Sequence, residues 1–329
     1  MPGSPLVTVT YLVVGALVLT GCAATSTSHP SARFAAASDA DAWETLTSTP
    51  PLLPAWARTT VTTLPATTAA MLDLDATHRL RNPLGPALGA EVRRVVGEAL
   101  GCAAIESTAT EDLSRTRRPV DAASSPVSGR ADASDDERAA LAFARRLTLE
   151  AADLSDDEVA DLIERYGPDD VVALVHTVAY ANFQARLLFA LGLDDAPSTA
   201  TPPLELRLPR ADDLAVPPRN ATPAPPADAT PQGGYDAALF DALRERLAEQ
   251  RARTARIEDP GPVRLARLPR PMRPRMGRIA WGTVSTGYQP ELTRAWFRAM
   301  DAFDREAQLD QVIASSTFWV MTNESDCFY

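Results

Sequence analysis

The sequence contains no lysine, and every side-chain cation apart from three histidines is an arginine. Without an ammonium group the chain can form neither a Schiff base with a substrate carbonyl nor a Walker-type phosphate loop. Acidic residues outnumber basic ones, 43 to 32, which gives a formal net charge of −11. Because this leaves no global basic surface, we predict no nucleic-acid partner.

Cysteine and histidine are also scarce. The cysteines of the 329-residue chain are Cys22, Cys102 and Cys327, and the histidines are His29, His78 and His176. Residues so far apart provide neither a disulfide framework nor a pair with metal-ligand spacing. We therefore predict no metal site and no cofactor, and apolar neighbours at helical spacing indicate that His176 is a hydrogen-bonded core histidine.

The N-terminus has no charged side chain in its first 32 residues, and residues 6–19 form an apolar run of signal-peptide length. The run ends in Leu19-Thr20-Gly21-Cys22, which resembles a bacterial lipobox. We predict a signal peptide over residues 1–22, a lipid on Cys22 and a flexible tether over residues 23–40. The missing positive charge leaves an uncleaved N-terminal anchor as the alternative. Both interpretations place the protein in the bacterial cell envelope, on a membrane and facing the periplasm or the exterior.

From about residue 41 the apolar residues follow helical spacing. One stripe consists of Leu88, Val92, Val95, Val96, Ala99 and Leu100. Ser134 and Ser155, each followed three residues later by Glu, predict capping boxes that open two helices. The second of these is expected to end near Gly167, before a long apolar bundle helix from Val171 to Leu191. Because no segment alternates as a strand does, we predict an all-α fold.

Proline divides the remainder of the chain. Ten prolines lie within residues 197–231, a density that no helix or central strand tolerates. Helical spacing resumes at about Tyr235, is interrupted by the Pro/Arg-rich segment Pro260 to Pro274, and returns at Pro290. The predicted units are a helical domain over 41–195, a proline-rich linker over 196–234, and a second helical block over 235–329.

The two helical blocks share an internal repeat. When Cys102 is aligned with Cys327, Pro65 and Pro290 coincide 37 residues upstream. Further identities without gaps are Thr68 and Thr293, Ala70 and Ala295, Leu84 and Leu309, and Val95 and Val320. We interpret the shared cysteine, proline and spacing as a duplication.

Two helical stretches are informative as whole segments: DERAALAFARRLTLEAADLSDDEVADLIERYGPDDVVALVHTVAYANFQARLLFALGL, residues 136–193, and LRNPLGPALGAEVRRVVGEALGC, residues 80–102. Together with residues 287–329, these stretches resemble the carboxymuconolactone decarboxylase/alkylhydroperoxidase-like family, specifically its secreted bacterial two-copy members. The resemblance implies an alkylhydroperoxidase-like helical bundle that forms homo-oligomers. It also implies one complete copy over 41–195 and a truncated second copy over 235–329.

Peroxidatic members of that family carry Cys-x-x-Cys, a His four residues after the second Cys, and a Glu about twelve residues before the first. A thiolate at a helix start takes oxygen from a peroxide, the second thiol resolves the sulfenic acid, and Glu and His relay the proton. In the first copy Cys102 matches the first cysteine. Ile105 stands at the second cysteine, Ala109 at the histidine and Ala90 at the glutamate, with Glu91 one residue away.

In the second copy Cys327 matches the first cysteine, Phe328 and Tyr329 follow as its spacers, and Ser315 stands at the glutamate position. The resemblance therefore predicts peroxide and a thiol reductant as partners and Cys327 and Cys102 as site residues, with thiol-dependent peroxide reduction impaired in this chain. The spacing at Cys102 favours a buried small hydrophobic residue. The alternative function is a non-enzymatic envelope lipoprotein that uses the helical domain for binding or assembly. No acid–base pair supports a third, a cysteine-independent lactone decarboxylase.

Polar and aromatic residues outside the motif carry two further expectations. The polar residues Tyr180, Asn182, Gln184 and Arg186 either line a cleft near Cys102 or, as we prefer, satisfy helix ends or a subunit contact. The aromatic residues Trp296, Phe297, Phe303, Phe318 and Trp319 lack the helices that would cover them in a whole second copy. We therefore expect the second block to be loosely folded, aggregation-prone or docked on another surface.

Overall fold

The computed structural model describes residues 34–46, 53–116, 133–195, 237–252, 255–268, 280–307 and 309–324. Every regular element in these ranges is helical. The α-helices are α1 (Asp39–Leu46), α2 (Ala55–Thr60), α3 (Pro65–Leu80), α4 (Gly85–Leu100), α5 (Ala103–Arg115), α6 (Asp135–Leu149), α7 (Asp156–Leu191), α8 (Ala237–Ala252), α9 (Gly261–Arg267), α10 (Ala280–Tyr288), α11 (Pro290–Glu306) and α12 (Gln311–Glu324). The all-α prediction is confirmed for the described ranges.

Local signals in the sequence set several helix ends. Both capping boxes are present, because Ser134 and Ser155 accept hydrogen bonds from the N–H groups of Glu137 and Glu158, whose carboxylates bond back. Gly167, at φ 76° and ψ 162°, interrupts the long helix α7 where the sequence predicts a helix end. At its C-terminus α7 stops at Gly192, which adopts the left-handed conformation.

Two apolar clusters form the interior of the first helical block. One joins α1, α2 and α3 to the end of α7 and contains Cys102, and the other joins α4, α6 and α7. Val92, Val95 and Val96 of the predicted α4 stripe are fully buried in the second cluster. None of the described helices is both long enough and apolar enough to span a bilayer.

The C-terminal block docks on the first block through α11. A third apolar cluster packs Ala66, Ala70 and Leu74 of α3 against residues of α11, with Trp296 only 7% exposed. The Phe183 ring of α7 meets the Trp296 ring edge to face, with centroids 5.4 Å apart. Of the three outcomes expected for this block, docking is therefore the one observed at α11.

One detail differs from the expectations and another agrees with them. The segment from Pro260, predicted as an interruption, contains the short helix α9, which begins at the left-handed Gly261. Helix α12 and the residues just before it leave several large apolar side chains exposed: Leu309, Val312, Ile313 and Val320. Phe297, Phe303 and Phe318 are half-buried, and the side chain of Trp319 lies outside the described part of the chain.

Three helices of the C-terminal block start at a nearly constant chain offset from helices of the first block. Helices α10 and α11 start 225 residues after α2 and α3, and α12 starts 226 residues after α4. The residues before α3 and α11, Leu64 and Gln289, have almost the same dihedral angles (φ −133°, ψ 63° and φ −131°, ψ 66°). Thr68 and Thr293 each donate a hydrogen bond of 2.7 Å to the carbonyl of that preceding residue.

Candidate functional site

Cys102 lies at the N-cap of α5, the position expected for the first cysteine of the family motif. Its N–H donates to the Gly97 carbonyl at 2.9 Å, and its carbonyl accepts from the N–H groups of Ile105 and Glu106. Gly97 permits this turn, because a Cβ there would lie 3.0 Å from the backbone nitrogen of Glu106. The local fold thus places the thiol at a helix start, where N–H groups could stabilise a thiolate.

The surroundings of Cys102 work against that thiolate. The residue is fully buried and carries a free thiol. Burial, with the negative charges of Asp194 and Glu106, raises the pKa of the thiol to about 11 despite the nearby N–H groups. Because the thiolate is the reactive form, burial and the raised pKa disfavour reaction of Cys102 near neutral pH. The burial expected for Cys102 is observed.

The positions that would assist the thiol are apolar and closed to solvent. Ile105 is 5% exposed, and Ala109 and Ala90 are fully buried. Glu91 is buried as well, but it stands one helical position away from the expected relay site. The described part of the first block therefore offers Cys102 neither a resolving thiol nor the expected proton relay. The other predicted site residues, Cys22 and Cys327, lie outside the described residues.

A buried ionic cluster joins α3, α4 and α5. The Arg79 guanidinium donates two hydrogen bonds to Asp112, from Nε to Oδ2 at 2.7 Å and from Nη2 to Oδ1 at 2.8 Å. Arg93 Nη2 donates to the same Oδ2 at 2.7 Å, and Arg115 Nη1 donates to Oδ1 at 2.8 Å. Arg79 also donates to Asp75 Oδ2 at 3.0 Å. The side chains of Arg79, Arg93 and Asp112 are between 3% and 8% exposed.

Ion pairs hold both carboxylates of this cluster, whereas the buried Arg93 Nε has no hydrogen-bond partner within the described ranges. Burial would raise the pKa of Asp112, but the bonds and charges of Arg79 and Arg93 hold it below its usual range. Burial opposes the charge on Arg79, and Asp75 and Asp112 nevertheless raise the pKa of that guanidinium. Since both oxygens of Asp112 accept from arginines, the carboxylate is not available as a general base. The cluster holds helices together rather than performing chemistry.

Three polar residues of α7 make hydrogen bonds to other residues of the first block. The Tyr180 hydroxyl and Gln184 Nε2 both donate to Asp75 Oδ1, at 2.8 Å and 3.1 Å. Asn182 Nδ2 donates to Thr148 Oγ1 at 3.1 Å and to the Val178 carbonyl. The expectation that these three residues satisfy helix ends or a subunit contact is wrong, because their hydrogen bonds go to side chains and helix carbonyls of the same bundle. Arg186 is half-buried.

Two histidines lie in the interior beside this network. The His78 ring stacks on the Tyr180 ring, with centroids 4.2 Å apart and planes 2° from parallel. Burial lowers the pKa of His176 to about 4, and burial, His176 and Arg93 lower the pKa of His78 well below its usual value. The buried atoms His78 Nδ1 and His176 Nε2 have no hydrogen-bond partner within the described ranges. The expectation of a hydrogen-bonded core histidine therefore fails at this nitrogen of His176.

No group of three His, Cys, Asp or Glu residues among those described could hold a metal ion. An apolar cavity of about 230 Å³ lies between α3, α7 and α11, and its lining includes Leu64, Met71, Leu74, Phe183, Trp296 and Phe303. The cavity lies in the contact between the two blocks.

Sequence reasoning missed the ionic cluster and the stacked histidine. The signal was present in part, because Asp75 and Arg79 are spaced i, i+4 on α3, and Arg93 follows directly after the buried Val92. A charged residue inside an apolar stripe needs a buried partner. The identity of that partner, Asp112, depends on how α3, α4 and α5 pack, which the spacing alone does not give.

Compared with models of known families, with curated proteins and with solved structures, the chain matches none of them.

Proposed function

We propose that this chain is a lipid-anchored, non-enzymatic protein of the bacterial envelope, with an alkylhydroperoxidase-like helical domain that serves binding or assembly. The observation that carries the proposal is the state of Cys102, a fully buried thiol whose pKa is raised to about 11. Peroxide reduction needs an accessible thiolate together with a partner that resolves the sulfenic acid. Apolar Ile105, Ala109 and Ala90 stand where the family motif has its thiol and proton-relay groups.

We propose further that residues 235–329 are a second, partial copy of the domain. Three observations support this: the shared offset of about 225 residues between helix starts, the matching dihedral angles before α3 and α11, and the paired threonine hydrogen bonds. Apolar spacing alone can coincide between unrelated helices, so the shared offset and terminal geometry are what support the repeat.

The first experiment measures thiol reactivity in a full chain that retains Cys102 alone, with Cys22→Ser and Cys327→Ser. A chromogenic disulfide should modify Cys102 slowly in buffer and quickly in denaturant, because only unfolding exposes the thiol. The matched control is a chain that retains Cys327 alone. If Cys102 reacts in buffer as fast as an unfolded cysteine does, the closed site described here is wrong.

The second experiment measures peroxide consumption by the wild-type chain in the presence of a dithiol reductant. We expect no turnover that depends on Cys102. Turnover abolished by Cys102→Ser would replace the proposed function with peroxide reduction by the first copy. Turnover abolished only by Cys327→Ser would instead assign the family activity to the second copy.

The lipid anchor is tested separately by labelling with a fatty acid in a bacterial host. The wild-type chain should incorporate label and Cys22→Ala should not, because Cys22 provides the thiol of the proposed lipobox. Label retained by Cys22→Ala would exclude this cysteine as the attachment site.

A further inference from the structure

Helices α3 and α11 cross in antiparallel orientation. At one end, the N–H groups of Ala66 and Thr67 and the Thr67 hydroxyl all donate to the Glu306 carboxylate at 2.7 Å. At the middle of both helices, Arg298 Nη1 lies 3.2 Å from Asp73 Oδ2. The start of α3 therefore meets the end of α11, and the two centres meet each other.

The contact has the form of a two-fold interface between equivalent helices. Asp73 and Arg298 are 225 residues apart, the same offset that separates Pro65 from Pro290. In an isologous contact, the residue that meets its own equivalent lies on the two-fold axis. Ala70 and its equivalent Ala295 both pack in the same apolar cluster, as the symmetry requires.

We propose that the α3 face pairs with an equivalent helix, and that charge selects α11 of the same chain as its partner in place of α3 from a second copy. The proposal rests on the partial second copy described above. It assigns a role to charged residues that neither the thiol site nor the family motif uses.

Pairing between two α3 helices would be opposed both at the two-fold axis and at the N-terminus of the facing helix. The axis would bring Asp73 against Asp73, two like charges. The residue equivalent to Glu306 is Arg81, the C-cap of α3, so a cation would replace a buried carboxylate at the N-terminus of the facing helix. Because that terminus carries partial positive charge and unpaired N–H donors, a carboxylate suits it and a guanidinium does not.

Pairing between two α11 helices is opposed in the same way. The axis would bring Arg298 against Arg298. The position equivalent to Ala66 in α11 is Glu291, so the Glu306 carboxylate would approach another carboxylate. Only the mixed pair, α3 with α11, places opposite charges at the axis and an anion at a free helix N-terminus.

The two charge contacts contribute differently. Asp73 and Arg298 are partly exposed, with 29% and 52% of their side-chain surfaces accessible, so their pair acts mainly on the choice of partner. Glu306 is 1% exposed and satisfies buried N–H groups, so it also stabilises the docked state. Charge reversal at Asp73 and Arg298 therefore tests the choice of partner helix with little risk of unfolding.

The test uses charge reversal in the full-length chain: Arg298→Asp, Asp73→Arg, and both together. Hydrogen exchange of the α11 amides reports its opening, and light scattering reports the mass. Each single reversal should speed α11 exchange roughly two- to fivefold, as expected for a half-exposed ion pair turned into a like-charge contact. The double reversal should return the rate to within about 1.5-fold of wild type, because the opposite charges are restored.

Controls separate this effect from a general loss of stability. Arg294→Asp reverses a charge on an exposed residue of the same helix and should leave α11 exchange unchanged. The mass should be the same for wild type and all variants, since α3 pairs within its own chain. Asp73 also pairs with Arg81 at 3.0 Å, so the Arg298→Asp rate is the cleaner single measurement.

Two results would overturn the proposal. One is a double reversal whose rate equals the product of the single effects, because the charges would then not act on each other. The other is a wild-type assembly whose mass is halved by either single reversal, because α3 would then pair between chains. Neither result alters the reactivity of Cys102, so this proposal and the proposed function can fail independently.

Discussion

The sharpest stability prediction concerns Asp112, the hub of the buried ionic cluster. Replacing this residue with asparagine keeps its size and one oxygen but removes the charge. Arg79 and Arg93 then each lose the ion pair that they make with Asp112, while the bond from Arg79 to Asp75 remains. Both guanidinium groups remain buried, at 4% and 3% exposure of their side chains.

The expected cost of Asp112→Asn follows from this geometry. Removing one partner from a buried ion pair costs about 3–5 kcal/mol, because the remaining charge stays desolvated. A domain of ordinary stability unfolds with roughly 5–15 kcal/mol, so the variant should lose a large share of the total. The matched control is Glu111→Gln on the same helix. Glu111 pairs with Arg115 at the surface, each about one-third exposed, and its loss should cost about 0.5 kcal/mol or less.

Urea unfolding followed by circular dichroism at 222 nm measures both variants. We expect a lower midpoint for Asp112→Asn with an unchanged slope, and a midpoint near wild type for Glu111→Gln. Equal midpoints for the two variants would refute the argument, because the buried cluster would then contribute no more than a surface pair.

Three further changes test other parts of the structure. Glu306→Gln should destabilise the docked α11 by roughly 2–3 kcal/mol, since an amide replaces a carboxylate that accepts three hydrogen bonds. Hydrogen exchange of the α11 amides measures this loss, and Glu291→Gln in the first turn of α11 is the control. Acid should destabilise the fold as the pH falls from about 6.5 to 4, because burial lowers the pKa of His176 and only the unfolded chain protonates it freely. This residue alone should remove roughly 3 kcal/mol of folding free energy by pH 4. His176→Phe should therefore make the urea midpoint less dependent on pH. Gly287→Ala would place a Cβ within 2.5 Å of the Pro260 ring and should lower the melting temperature, whereas Gly282→Ala on the same helix has open space and should not.

Local features of the fold follow from the sequence because their causes are local. The capping boxes at Ser134 and Ser155 need only a side chain and a backbone N–H three residues away. Gly192 ends α7 because glycine adopts the left-handed conformation without strain. The break at Gly167 is predictable for the same reason, but its ψ of 162° lets the chain continue into the next helical segment. An ordinary helix end and a kink carry the same signal in the sequence.

The site is less predictable because it depends on contacts between distant segments. The sequence alone identifies Cys102 and its apolar neighbours, and these suffice to predict a buried thiol. They do not predict the pairing of Arg79 with Asp112, which are 33 residues apart, or of Ala66 with Glu306, which are 240 residues apart. Each of these side chains has several possible partners in the sequence, and only the packing of the helices selects one.

Contacts between distant segments also explain why the C-terminal block is ordered at α11 while α12 stays exposed. In the first block, Val95 of α4 is buried by packing against α6 and α7. Its equivalent in α12, Val320, is 62% exposed. Helix α11 instead obtains its burial from α3, and Gln289, just before α11, donates to the Asp169 carbonyl of α7. Order in this block therefore depends on surface that the first block provides, so weakening the Glu306 contact should release α11 while the first block stays folded.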